Sequence, residues 1–230
     1  MDENEERKLI ETFANTNKRI VPLYGGDGTL VSEYRKYKDK CFLPIRNYGR
    51  CTEHADINSI LNGKPLRQQQ HWKIEMNGET AISEVQVRNT DITSAIRFDI
   101  TVNGNPYAAN VIADGIIVST ALGSSGYFHS ITNTIFRDGI GLAFLNPTHA
   151  IPHLVLSRVD TVGIKFIRSG TVKFAWDKIV SDETDVNDGD EYFVRSIPEC
   201  IVTYGRDIFM CNECRRNRNS TILLNEEFGI

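Results

Sequence analysis

Apolar positions change rhythm along this chain, and the change divides it. Leu9, Ile10 and Phe13 recur at helical spacing in a polar opening, which predicts a short amphipathic helix over Glu5 to Phe13. The apolar run Ile20-Val21-Pro22-Leu23-Tyr24 predicts a strand, and Cys41-Phe42-Leu43-Pro44-Ile45 a second. Leu30 to Lys40, between them, reads as a helix. Strand, glycine-rich loop, helix and strand make a βαβ unit and imply a small parallel sheet. Asn62-Gly63-Lys64-Pro65 supplies turn chemistry near its end.

From His71 onward the texture becomes that of short strands. β-favouring runs cover Thr80 to Val87, Ala95 to Val102, Ile116 to Thr120, Val155 to Ser157, Thr161 to Phe166, Thr171 to Trp176, Glu191 to Arg195 and Cys200 to Tyr204. Asn77-Gly78, Asn103-Gly104, Ser169-Gly170 and Asp188-Gly189 punctuate them as turns. Strands at this spacing predict an antiparallel, sandwich-like domain, interrupted by a helix that begins within Ser124 to Phe136. The expected fold class is therefore α+β with two domains: a small N-terminal α/β domain with a parallel sheet, and a larger antiparallel β-rich one. The expected boundaries are 1–70, 71–210 and a C-terminal tail over 211–230.

Composition narrows the partners. With 230 residues the chain can bury a sizeable core, and 40% hydrophobic with 24% charged residues is ordinary for a globular protein. A net charge of −4 with no basic stripe beyond Arg215-Arg216-Asn217-Arg218 argues against nucleic acid as a partner. The acidic opening Met1-Asp2-Glu3-Asn4-Glu5-Glu6 lacks the apolar core of a signal peptide, and no apolar run approaches membrane-spanning length. Both observations lead to the expectation of a cytoplasmic protein without a membrane partner. Five cysteines are an odd number, and Cys211-Asn212-Glu213-Cys214 has the spacing of half a zinc site that Cys51 and His54 would have to complete. An incidental pair is the expected reading, with no metal ligands assigned.

Chemistry concentrates in two segments. Gly25-Gly26-Asp27-Gly28-Thr29 follows the first strand. Its glycines let backbone approach a ligand, and consecutive free N–H groups can cradle phosphate oxygens. A carboxylate in such a loop repels phosphate unless it binds a cation or takes a proton from a hydroxyl, so Asp27 points to phosphoryl transfer. The second segment runs from Asp114-Gly115 through Thr120-Ala121-Leu122-Gly123-Ser124-Ser125-Gly126-Tyr127-Phe128-His129-Ser130. Its hydroxyls and amides suit ribose and phosphate groups, and Tyr127 can pack on a flat ring.

Together these segments resemble the NAD kinase family. That family's Gly-Gly-Asp-Gly-Thr stands unchanged at Gly25 to Thr29, and its Thr-Pro-Thr-Gly-Ser-Thr-Ala-Tyr segment is similar to Thr120 to Tyr127. Its Asn-Glu pair falls on Ser83-Glu84, and Ile151-Pro152-His153 with Ser157-Arg158 is similar to its Pro-His motif. Ser83 stands where the family has Asn, which implies weakened or rearranged adenine recognition; Ala121 replaces Pro and loosens the turn. The polar stretch before the glycine motif is shorter than the family's strand and helix.

The resemblance implies a kinase that moves the γ-phosphoryl group of ATP to the 2′-hydroxyl of the NAD adenosine ribose, with Mg2+ neutralising the phosphates. It implies Asp27 as proton acceptor, Gly25, Gly26, Gly28 and Thr29 as phosphate loop, and Asp27, Gly28, Ser83, Glu84, Asp114, Ser125, Gly126, Tyr127 and Ser130 as the NAD side. NAD and ATP are then the small-molecule partners, and a dimer or tetramer of identical chains is expected. His153 is expected to hold a loop rather than to catalyse. Two other readings remain open: a lipid or sphingoid-base kinase, which shares the glycine motif, and a non-catalytic dinucleotide-binding homologue.

Overall fold

A computed structural model describes residues 4, 8, 11, 12, 19–24, 27–37, 40–45 and 68–204. The chain forms two compact units, Met1–Gln70 with Ile201–Ile230, and His71–Cys200.

In the smaller unit, β1 (Ile20–Tyr24) and β2 (Cys41–Ile45) pair in parallel, Ile20 opposite Cys41 and Tyr24 opposite Ile45. Val202 and Thr203, near the end of the last strand β15 (Glu191–Tyr204), add a parallel partner to Cys41 and Phe42. Pro22 lies on β1, the edge strand among the described residues, where a missing ladder donor is tolerated, and Pro44 stands opposite Leu23. Leu23, Leu30, Phe42 and Leu43 are buried. The helix between the strands spans Asp27–Glu33, so it starts earlier and ends sooner than the apolar pattern suggests. An acidic first residue favours the start, where backbone N–H groups are unpaired. At the other end the Lys36 N–H bonds the Glu33 carbonyl, a tightened turn that stops propagation. Of the helix expected over Glu5 to Phe13, Lys8, Glu11 and Thr12 are described, as helical, and the rest lies outside the described residues.

The larger unit is a sandwich of two mostly antiparallel sheets. One runs β15, β11 (Thr161–Phe166), β6 (Ile96–Val102), β7 (Asn105–Ala113), with β3 (Gln68–Met76) beside β15 and β4 (Glu79–Ala81) on β3. The other runs β10 (Leu154–Leu156), β9 (Ile140–Leu145), β8 (Gly115–Thr120), β5 (Glu84–Asn89), β12 (Gly170–Trp176), β13 (Ile179–Val180), with β14 (Thr184–Val186) on β12. Alternate residues of both sheets meet in one core that includes Phe98, Ile100, Val162, Phe166, Val85, Val87, Val118, Leu142, Phe174 and Trp176. The helix Tyr127–Thr132 covers the opposite face of β8 and β9, where Phe128 packs with Ile117, Ala143 and Phe136.

The strand expected over Thr80 to Val87 is broken into β4 and β5 by a corner at Ile82-Ser83. Glu191 to Arg195 and Cys200 to Tyr204, expected as two strands, are one. The helix expected from Ser124 is a short 3-10 turn over Gly123–Ser125 followed by Tyr127–Thr132.

Candidate functional site

The glycine motif lies at the carboxyl end of β1, the end of parallel strands at which α/β folds bind ligands. Gly25, Gly26 and the Asp27 side chain lie outside the described residues. The Asp27 backbone opens the helix, Gly28 is exposed and Thr29 half-buried, and the Ser32 hydroxyl bonds back to the Gly28 carbonyl at 2.9 Å.

In the larger unit, Ser83 and Glu84 occupy the corner between β4 and β5, and that corner is clamped from two sides. Asp177, in the turn after β12, accepts three consecutive backbone N–H groups: Ile82 at 2.8 Å, Ser83 at 2.8 Å and Glu84 at 3.0 Å. Its own N–H donates to the Glu84 carbonyl at 2.9 Å. Asp177 adopts φ 58°, a left-handed conformation that Asp tolerates better than most residues. From the other side the Thr120 hydroxyl donates to the Ile82 carbonyl at 2.6 Å, and the Thr120 N–H to the Ser83 carbonyl at 2.8 Å. Gly123 closes the fit, because a Cβ there would overlap the Ser83 carbonyl.

Glu84 begins a polar strip. Strand alternation sends Val85 and Val87 into the core and turns Glu84, Gln86 and Arg88 to the other face. Four residues at the strand rise make the strip ~13 Å long. The Gln86 amide donates to Glu84 Oε1 at 2.6 Å. Burial raises the Glu84 carboxyl to about 7; the Gln86 hydrogen bond and Arg88 oppose the shift and the Asp177 charge adds to it. Near neutral pH this group therefore exists in both forms and can donate as well as accept.

Asp114 stands at the far end of the strip, at the bend where β7 of one sheet gives way to β8 of the other. Its carbonyl accepts the Asn89 N–H at 3.0 Å and its Oδ2 accepts from Asn146 at 3.2 Å. Tyr127, opening the Tyr127–Thr132 helix, lies under the Arg88 guanidinium, 5.7 Å from ring centre to Cζ. Glu84, Asp114 and Tyr127 are thus all tied to β5. Ser125 is buried and Gly126 exposed, and the Ser130 hydroxyl donates to the Tyr127 carbonyl at 2.7 Å. Ser124 braces the segment, donating to the Ala121 carbonyl at 2.7 Å and accepting from the Phe136 N–H. His153 Nε2 meets the Thr134 hydroxyl at 2.9 Å and its ring stands edge-on to Phe128 at 5.9 Å, the packing of a loop-holding residue.

Sequence reading missed Asp177 and Arg88. A carboxylate before a lysine in a hairpin turn carries no signal of the corner 93–95 residues away. Arg88 was discoverable, since it shares the strand periodicity of Glu84. Cys51, His54, Cys211 and Cys214 lie outside the described residues, and among the described residues no three His, Cys, Asp or Glu side chains converge as metal ligands. Among those residues, too, no helix is long and apolar enough to cross a membrane.

Residues 82–202 match the family model of the ATP-NAD kinase C-terminal domain. A protein named NAD kinase from Nitrosomonas europaea is 27% identical over 204 residues, covering 79% of this chain and 68% of the relative. One from Chloroflexus aurantiacus is 26% identical over 208 residues, covering 79% and 72%. An NAD kinase from Archaeoglobus fulgidus, solved in complex with ATP, superposes with a TM-score of 0.66 at 18% identity, covering 95% of this chain and 93% of that one. Yeast NADH kinase, solved with NADH, gives 0.67 at 16% identity, covering 90% and 67%. At those identities the structural likeness speaks for the fold.

Proposed function

Since the chain belongs to the ATP-NAD kinase family, we propose that it transfers the γ-phosphoryl group of ATP to the 2′-hydroxyl of the adenosine ribose of NAD, giving NADP and ADP. The observation that carries this reading is the clamped Ser83–Glu84 corner leading into a strip that ends at Asp114 and Tyr127. Of the residues assigned to the NAD side, Glu84 opens β5, Ser83 precedes it, Asp114 bonds to it through Asn89 and Tyr127 meets it through Arg88, which supports the reading. In the proposed division of labour, residues 1–70 bind the phosphoryl donor, 71–210 the dinucleotide, and 211–230 form a tail.

The chemistry asks little covalent work of the protein, so positioning and electrostatics dominate. The ribose 2′-oxygen attacks the γ-phosphorus. As the new P–O bond forms, the bond to the β-phosphate oxygen breaks and ADP leaves. Asp27 accepts the ribose proton. Gly25, Gly26, Gly28 and Thr29 hold phosphate oxygens through backbone N–H groups. Glu84 and Asp114 bind hydroxyl or amide groups of the dinucleotide, and Ser83, Ser125, Gly126, Tyr127 and Ser130 line its site. Mg2+ supplies charge neutralisation on the phosphates. It commonly binds through one or two carboxylates and the substrate's own phosphate oxygens. The proposal extends to a homo-oligomer, dimer or tetramer, in the cytoplasm.

The test is direct. Purified protein with NAD, ATP and Mg2+ should produce NADP, read by an NADP-specific dehydrogenase. No product, with ATP or with polyphosphate as donor, rejects the reading.

A further inference from the structure

On the outward face of β5 one cation feels the Glu84 charge along the strand without pairing with it. Arg88 is exposed and forms no ion pair among the described residues, and its guanidinium lies over the Tyr127 ring at 5.7 Å. Its register neighbours leave that side open and positive. On β8 the residue opposite is Gly115, which has no side chain, and on β12 it is Lys173. Lys173 reaches Glu183 only at 3.6 Å, between exposed side chains. The two carboxylates at the ends of the strip are each held by an amide. Asp114, next to Gly115, accepts from Asn146; Glu84, at the other end of the strip, accepts from Gln86. A guanidinium resting on an aromatic face is weakly hydrated and keeps its N–H fork free, the geometry suited to a bidentate phosphate contact.

Resting on the proposed function, we propose that Arg88 binds a phosphate group of the dinucleotide and so sets how tightly this site holds it. The strip is ~13 Å long. With one end of the dinucleotide at Glu84, a phosphate of the extended molecule comes within reach of Arg88. Tyr127 serves as the platform that keeps the guanidinium in place when the site is empty. The phosphate has two sources in this chemistry, the diphosphate bridge common to NAD and NADP and the 2′-phosphate that only NADP carries.

Calorimetric titration of the full chain and of Arg88→Ala with NAD, NADP, ADP-ribose and adenosine separates them. The substitution should weaken binding about ten-fold or more for the phosphate-bearing ligand concerned, the scale of a lost charge-assisted contact, and flatten its salt dependence. Equal weakening for NAD, NADP and ADP-ribose with adenosine unaffected assigns the bridge. Weakening for NADP alone assigns the 2′-phosphate. Arg88→Lys should recover part of the loss, because it keeps the charge and lacks the fork. Unchanged affinity for all ligands overturns the proposal while leaving the kinase reading intact. So does equal weakening for adenosine, which would make Arg88 a mere prop for Tyr127. Wild-type protein that binds neither NAD nor NADP overturns both.

Discussion

The glycine motif and the Ser83–Glu84 corner are built on opposite plans. Gly25 to Thr29 is contiguous: β1 ends, the motif follows, and Asp27 already belongs to the next helix. Its position needs little beyond a strand, three glycines and a helix start. The corner is assembled from afar, with Asp177, Thr120 and Gly123 all reaching it across the sheet. One region is written in a single sentence of sequence; the other is distributed over nearly a hundred residues. A contiguous motif tolerates change around it and not within it. A distributed one is vulnerable at places that never touch a ligand.

The sharpest test of the contiguous side is Asp27→Asn. The amide keeps the size and loses the proton-accepting role, so NADP formation should fall 10²–10⁴-fold while NAD affinity, measured by calorimetry, stays near wild type. A rate within about a tenth of wild type would remove the general-base role.

On the distributed side the largest effect should come from Asp177→Ala. Three backbone donors lose their acceptor, at roughly 1–3 kcal/mol for each group left unsatisfied, and water relieves part of this at a half-open corner. The expected outcome is a lower melting temperature and a raised KM for NAD, with the KM for ATP much less affected. Equal effects on both substrates would mean that the corner serves general stability alone.

Glu84→Gln probes the same corner through pH. A carboxyl held protonated to about 7 contributes stability fully present below about pH 4.5, and loses it as pH rises through 7. The wild-type melting temperature should therefore decline across that window. At most ~3 kcal/mol is involved, reduced by solvent at this half-buried group. Glu84→Gln should flatten the decline, and an undiminished slope would place the titrating group elsewhere.

The smallest effect is expected at Ser83. Its carbonyl is locked by Thr120 while its hydroxyl lies against Gly123. Ser83→Asn restores a paired donor and acceptor suited to an adenine edge. The KM for NAD should fall a few-fold, with sharper rejection of hypoxanthine dinucleotides. An unchanged KM and unchanged base preference would show that another residue reads the base.

The same contrast explains what could be read from sequence. Ile20–Tyr24, Cys41–Ile45 and Thr161–Phe166 were legible to the residue, because apolar runs bounded by turn residues are local signals. Gln68–Met76 and Asn105–Ala113 were not, since Gln68-Gln69-Gln70 and Asn105 to Asn110 look like loop. Asn110 in fact takes φ 51° at an irregular pairing with β6, its N–H held by Asp99. Ile140–Leu145 is buried on both faces and shows no alternation to detect. The candidate side chains were legible through the motifs that carry the resemblance. What bends the chain to present Glu84 was not, because the corner's partners come from β8 and from the turn after β12.

The three N–H groups gathered by Asp177 form a cradle of the kind that elsewhere captures a free anion, here filled by the protein's own carboxylate. This has a consequence for isotope exchange. Amides at a bend between two strands ordinarily trade their hydrogens with solvent quickly, yet Ile82, Ser83 and Glu84 should exchange as slowly as the strands beside them. The bend would then be a rigid template before any substrate arrives, with its order invested during folding rather than at the moment of binding.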